Sequence, residues 1–142
     1  MNAFNPETYQ WAPCVPELLV SDIGASLDFW CAKLGFHVAY DRQESKFAYL
    51  EREGTQLMLC QRNGIWETGA MDAPYGRGIN LQIFTSGLAP ILLALEAANW
   101  PFYKEPYEVW RKTGNGESGT REFLVQDPDG YLARLTENLG FR

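Results

Sequence analysis

Apolar and polar positions along the chain fall into an order of elements that occurs twice. The run Val15-Pro16-Glu17-Leu18-Leu19-Val20 reads as a short strand. Pro16 has no N–H to give a ladder, so this strand belongs at an edge or a crossing point. Ser21 or Asp22 can cap a helix behind it. Leu27, Trp30, Cys31 and Leu34 then fall at i, i+3, i+4 and i+7, one amphipathic helical face, and Gly35 is the expected stop. Three strand-like runs follow, at 37–40, 47–51 and 56–61, with Glu53-Gly54 turning between the last two.

Residues 62–78 hold four glycines and a proline and read as a connecting loop. After it the order restarts. A strand is predicted over 79–85, and Leu88, Ile91, Leu92, Leu95 and Ala98 share a helical face that ends at Asn99, where Gly35 stood before. A short strand over 102–107 and two more over 121–127 and 131–137 follow. The last two are joined by Asp127-Pro128-Asp129-Gly130, a strong turn signal. An offset of 64 carries Leu34 onto Ala98, and one of 76 carries Gly54 onto Gly130. The difference is a 12-residue insertion within 107–120, whose glycines suggest a flexible loop. The predicted architecture is therefore one α+β domain over 1–142, made of two βαβββ modules, about 14–62 and 79–138, with a linker at 63–78. Residues 1–13, polar and aromatic, read as an arm outside the core.

The chain has 142 residues, 46% hydrophobic and 21% charged, a globular mix. Its formal charge of −6, from 12 basic and 18 acidic residues, argues against nucleic acid and anionic membranes and is compatible with a cationic ligand. Aromatic residues make up 14%, more than a core needs, so some are expected to line a pocket or an interface. Cys14, Cys31 and Cys60 have no CxxC spacing and predict reduced thiols in a cytoplasmic protein. No signal peptide and no membrane span are expected. Phosphate loops, hydrolytic triads and paired catalytic carboxylates are absent as motifs. Glu51, Glu53 and Glu122 read as solvated or turn acids, and His37, the one histidine, as a surface or structural residue.

The segment 18–36 (LLVSDIGASLDFWCAKLGF) and the closing segment 123–138 (FLVQDPDGYLARLTEN) resemble the opening and closing motifs of the vicinal-oxygen-chelate proteins. That family holds glyoxalase I, extradiol dioxygenases, fosfomycin-resistance enzymes and bleomycin-resistance proteins. The resemblance implies paired βαβββ modules whose sheets form a curled mixed sheet around a cleft. Val15-Pro16, Ser21-Asp22, Phe29-Trp30, Leu34-Gly35-Phe36, Arg121-Glu122-Phe123 and Arg134-Leu135 point to the bleomycin-binding members. Those imply a homodimer that sequesters its drug without modifying it, with a strand crossing to the partner at a proline matching Pro16. Such members tend to carry a Trp just before the Arg-Glu-Phe motif; here residues 116–120 read Gly-Glu-Ser-Gly-Thr.

The same resemblance locates the metal ligands of the enzymatic members. Here those positions are Val15, Met58, Ile79 (Asn80 if the register slips by one) and Arg134, none of which is a credible ligand. No metal, no cofactor and no catalytic residue is expected. Strand alternation turns Glu17 and Arg134 toward the cleft, either to pair with each other or to meet ligand charges, and with them Ile79, Leu81 and Ile83, or Asn80, Gln82 and Phe84 after a slip. The expected ligand-binding residues are Tyr40, Phe47, Trp66, Gln82, Trp110, Glu17 and Arg134, with the acids Asp41, Glu44, Glu67 and Asp72 near the aromatics. The expected partner is a bleomycin-type glycopeptide or another small aromatic or cationic molecule. A metal-independent isomerase or lyase using Glu17 as its acid is the alternative.

Overall fold

Both halves take the strand–helix–three-strand order that the pattern predicts. The computed structural model describes residues 3–142, which divide into two compact units with the boundary between Gly69 and Ala70. The boundary lies inside the predicted linker. In the first unit β1 (Glu17–Val20), α1 (Ile23–Leu27), β2 (His37–Arg42), β3 (Phe47–Arg52) and β4 (Thr55–Gln61) give a four-stranded mixed sheet in the order β1-β4-β3-β2. In the second, β5 (Asn80–Phe84), α2 (Ala89–Ala97), β6 (Lys104–Thr113), β7 (Gly116–Gln126) and β8 (Leu132–Phe141) repeat it as β5-β8-β7-β6. The chain is thus α+β, with two βαβββ modules.

Each sheet buries one face beneath its helix. Leu18, Val20, Leu50, Leu57 and Leu59 are buried on that side in the first unit, and Ile83, Phe123, Val125, Ala133 and Leu135 in the second, where Ile91 and Leu95 of α2 are buried as well. Period-2 alternation then sends the intervening side chains to the opposite, open face. β1 is an edge strand, as Pro16 requires; the Pro16 carbonyl still accepts from Met58 N at 2.9 Å.

Local signals explain the termini. Asp22 caps α1, accepting from Ala25 N at 3.1 Å. Gly35 lies at φ 82° and Asn99 at φ 51°, left-handed conformations that stop each helical segment. The first helix departs from the predicted face. From Asp28 to Lys33 it widens into a π-helical turn, with Leu34 N bonding Phe29 O at 3.0 Å. The wider turn brings the adjacent Phe29 and Trp30 both fully inside, while Leu27 and Cys31 are only half-buried.

The 107–120 insertion is not a flexible loop. It extends β6 and β7 into a hairpin paired from Tyr107↔Glu122 out to Thr113↔Gly116, and β8 follows as far as Phe141. Tyr107, Val109 and Trp110 are strand formers, and Gly114, at φ 63°, supplies the reversal, so the local glycines mark a tight turn. Gly119 is small for a different reason: a Cβ there would lie 2.6 Å from the Trp110 ring.

Candidate functional site

The open face of the first sheet carries Glu17, Arg42, Phe47, Met58 and Cys60, which together with Trp66 from the following loop line a cavity of about 350 Å³. The Arg42 guanidinium carbon stands 4.0 Å from the centre of the Phe47 ring, a cation–π contact. Burial pushes the Cys60 thiol pKa up, with Glu17 adding to the rise and Arg42 opposing it. Cys60 is therefore kept as a thiol, a poor nucleophile.

Trp66 is 73% exposed and sits at φ 67°. A bulky residue in the left-handed region is strained. The loop around it enforces that geometry. Glu67 accepts from Arg62 Nη2 at 2.7 Å and from Gly64 N at 3.0 Å, and Asn63 Oδ1 accepts from Ile65 N at 2.9 Å. The Arg62 hydrogen bond is the main cause holding the Glu67 carboxyl below its ordinary pKa. An indole is thus presented to solvent at the mouth of an aromatic-walled cavity.

The rest of that face is occupied by the N-terminal arm. Phe4, Tyr9 and Trp11 pack on Tyr40 and Tyr49, with Phe4–Tyr40 ring centres 5.0 Å apart and Trp11–Tyr49 5.3 Å. Gln56 ties the arm down: its amide oxygen accepts from Ala12 N at 2.9 Å and Tyr49 Oη at 2.6 Å, and its amide nitrogen donates to Gln10 O at 2.6 Å. Tyr40 stacks on Tyr49 at 5.1 Å and 16° inside this cluster.

The open face of the second sheet is built around Glu122. The residue reads as a solvated acid in the sequence, yet it is completely buried. Its Oε1 accepts from Tyr107 Oη and, at 2.8 Å, from Arg111 Nη2. Its Oε2 accepts from Thr120 Oγ1 at 3.2 Å and Thr136 Oγ1 at 3.3 Å. Arg134 Nη1 stands 3.8 Å from Oε1. Burial pushes the carboxyl pKa up, but hydrogen bonds from Arg111 and Tyr107 and the charges of Arg111 and Arg134 outweigh it and hold Glu122 below the ordinary value. The Tyr107 hydroxyl is pushed up by burial and by its bond to Glu122.

The predicted residues therefore separate. Glu17, Phe47 and Trp66 meet at the first-unit cavity, and Tyr40 adjoins it under the arm. Gln82 and Arg134 are ladder partners in the second sheet, and Gln82 Nε2 donates to Thr136 Oγ1 at 3.4 Å. This pairing shows that the register takes the one-residue slip: Asn80, Gln82 and Phe84 share the open face, while Ile83 faces the helix and Ile79 precedes the strand. Arg134 finds its carboxylate in Glu122 on the neighbouring strand, not in Glu17. Trp110 lies over Gly119 with the Arg142 guanidinium 4.2 Å from its ring, on the side of β6 opposite Arg111. Glu67 spends its charge on Arg62. Pro16 leads into β1.

At the positions where the resemblance places the ligands of enzymatic members stand Val15, Met58 and Arg134, with Asn80 in place of Ile79 because of the one-residue slip. An aliphatic chain, a thioether, an amide and a fixed cation do not fit a divalent metal. Among the described residues no three His, Cys, Asp or Glu side chains gather to hold one, and no helix is long and apolar enough to cross a membrane. A larger depression of about 550 Å³ lies beside Trp100, Phe102, Tyr103 and Pro128. Its indole N–H is already spent on the Gln126 carbonyl at 2.9 Å.

The repeated βαβββ order agrees with a comparison across known families. The model of the Glyoxalase/Bleomycin resistance protein/Dioxygenase superfamily matches residues 14–135. The chain belongs to that superfamily. Among solved structures it is similar to a virulence protein of Salmonella typhimurium, at 22% identity over 91% of this chain and 98% of that one, with a TM-score of 0.62. TioX from Micromonospora sp. ML1 is similar at 19% identity, over 89% and 95%, with a TM-score of 0.62. A superfamily member from Alicyclobacillus acidocaldarius matches at 19% identity, over 90% and 93%, with a TM-score of 0.57. These likenesses concern the fold. No curated protein sequence matches the chain.

Proposed function

We propose that this superfamily member binds a small molecule carrying a flat aromatic group and releases it unchanged, as an antibiotic-sequestering protein does, with a bleomycin-type glycopeptide as the first ligand to test. The observation that carries the reading is Trp66. A side chain held in a strained conformation and largely exposed contributes little to its own fold; above a cavity walled by Phe47 it provides a face for stacking. The chemistry of the cavity supports binding over catalysis: Cys60 is kept protonated, Met58 replaces a metal ligand, and Glu17 is the one acid of the lining. The reading includes a homodimer, which rests on the family resemblance, and light scattering that returns the mass of one chain would remove it.

The decisive measurement is a tryptophan-fluorescence titration with metal-free and copper-loaded bleomycin. Quenching with Kd of about 1 μM or below, and a loss of roughly tenfold or more in Trp66→Ala, is the expected result. Equal affinity in Trp66→Ala would move the site elsewhere. A flat titration to about 100 μM drug would exclude bleomycin as the ligand.

A further inference from the structure

The Glu122 network carries one cation more than it uses. A buried carboxylate requires one counter-charge and acceptors' worth of donors. Arg111, Tyr107, Thr120 and Thr136 already fill both oxygens of Glu122. Arg134 adds a second guanidinium at 3.8 Å, beyond hydrogen-bonding reach. Its Nε is buried and has no hydrogen-bond partner, a costly state for a donor. Its side chain is nevertheless 25% exposed, and that of Arg111 46%. At the ladder positions of this face Glu122 is the one acidic residue, and the neighbouring strand offers only the neutral Asn80 and Gln82. Lys104, across from Leu124 in the row of Arg134 and with its Nζ 4.1 Å from the centre of the Tyr107 ring, adds a third cation, so the face carries more positive than negative charge, with fork-shaped donors unspent.

We propose that Arg134, with Arg111 beside it, binds a single carboxylate group of a ligand on the open face of the second sheet. A planar carboxylate matches the guanidinium fork and offsets part of the excess charge. Glu122 is a positioning residue, orienting Arg111 and anchoring Arg134 without touching the ligand.

The test uses propionate, which has no ring and so reads this site independently of any stacking at Trp66. The Arg134 and Arg111 side-chain Nε–H resonances are followed by NMR, with propionamide as the neutral isostere. Propionate should shift both resonances saturably, with Kd of about 1–10 mM. Propionamide should shift neither. Arg134→Gln, read at Arg111, should weaken propionate at least tenfold, and Arg134→Lys, which keeps the charge and loses the fork, by less. Absence of a saturable shift up to about 100 mM, an equal response to propionamide, or unchanged affinity in Arg134→Gln overturns the proposal. The propionate–propionamide pair decides it in the wild type even if Arg134→Gln fails to fold.

Discussion

The two open faces share a ladder and differ in chemistry. Glu17 pairs with Met58 as Gln82 pairs with Arg134. Phe47 lies across from Cys60 as Glu122 lies across from Thr136, and Arg42 across from Phe47 as Tyr107 across from Glu122. One set of positions thus carries an aromatic ring, a thioether and a thiol; its counterpart carries a buried acid, a guanidinium and hydroxyls. The first face is completed by packing, which is non-directional and tolerant. The second is completed by reciprocal hydrogen bonds, which are directional and leave a large penalty when one member is lost. The fold fixes where these side chains stand, and the side chains alone decide what each face can recognise.

The comparison is broken most readily at Glu122. Glu122→Ala strands two guanidiniums and three hydroxyls, and urea unfolding should show a loss of about 3–5 kcal/mol. A loss below about 1 kcal/mol would mean that the network is ornamental. The pH dependence sharpens the point. Because the folded state holds the Glu122 carboxyl below its ordinary value, its stabilisation is complete above the ordinary carboxylate range of about 4.3 and is lost as pH falls through the depressed folded value. The stability lead of wild type over Glu122→Gln should therefore narrow as pH drops from about 5 toward 3; a lead that stays constant contradicts the assigned ion pairs.

A smaller effect is expected on the first face. Gln56→Ala leaves the arm's Ala12 N–H and the Tyr49 hydroxyl without their acceptor, at about 1–3 kcal/mol. Hydrogen exchange should show lost protection at Ala12 with β3 and β4 unchanged. Protection that persists would show that the aromatic contacts alone hold the arm. The smallest change is Trp66→Gly. It relieves a left-handed conformation and should leave stability unchanged or raise it by about 1 kcal/mol, while removing aromatic-ligand binding. A marked destabilisation would return Trp66 to a structural role.

The two-module order, the caps at Asp22, Gly35 and Asn99, and the turn at Asp127–Gly130 were legible because each is set by local chemistry. Strand register was legible only to within one residue: Ile79, Leu81 and Ile83 alternate with Asn80, Gln82 and Phe84, and which set takes the open face is decided once Gln82 is placed against Arg134. The π-helical turn was hidden because Phe29 and Trp30 are adjacent, and a 3.6-residue period must discard one of them. Glu122 was missed because an acid between Arg121 and Phe123 looks solvated. The available signal was cross-strand: Thr120 and Glu122 alternate with buried Phe123 and Val125 just as Arg134 and Thr136 alternate with Ala133 and Leu135. Polar residues at matching alternations on two central strands, one acidic and one basic, mark a paired polar face. The cavity at Trp66 depends on a loop conformation that no periodicity encodes.

The Glu122 node also constrains how the gene can change. Arg111, Tyr107, Thr120 and Thr136 answer to one carboxylate, so replacing any of them alters the value of keeping the others, and mutations there are strongly epistatic. Phe47, Met58 and Cys60, which contribute chiefly by filling space, can drift one codon at a time. Recombination that copied the first module's segment over the second would bring Phe47 into the place of Glu122 and leave its cations without an anion. The two modules of this tandem gene are thus kept from homogenising, and new specificities should arise in the first before the second.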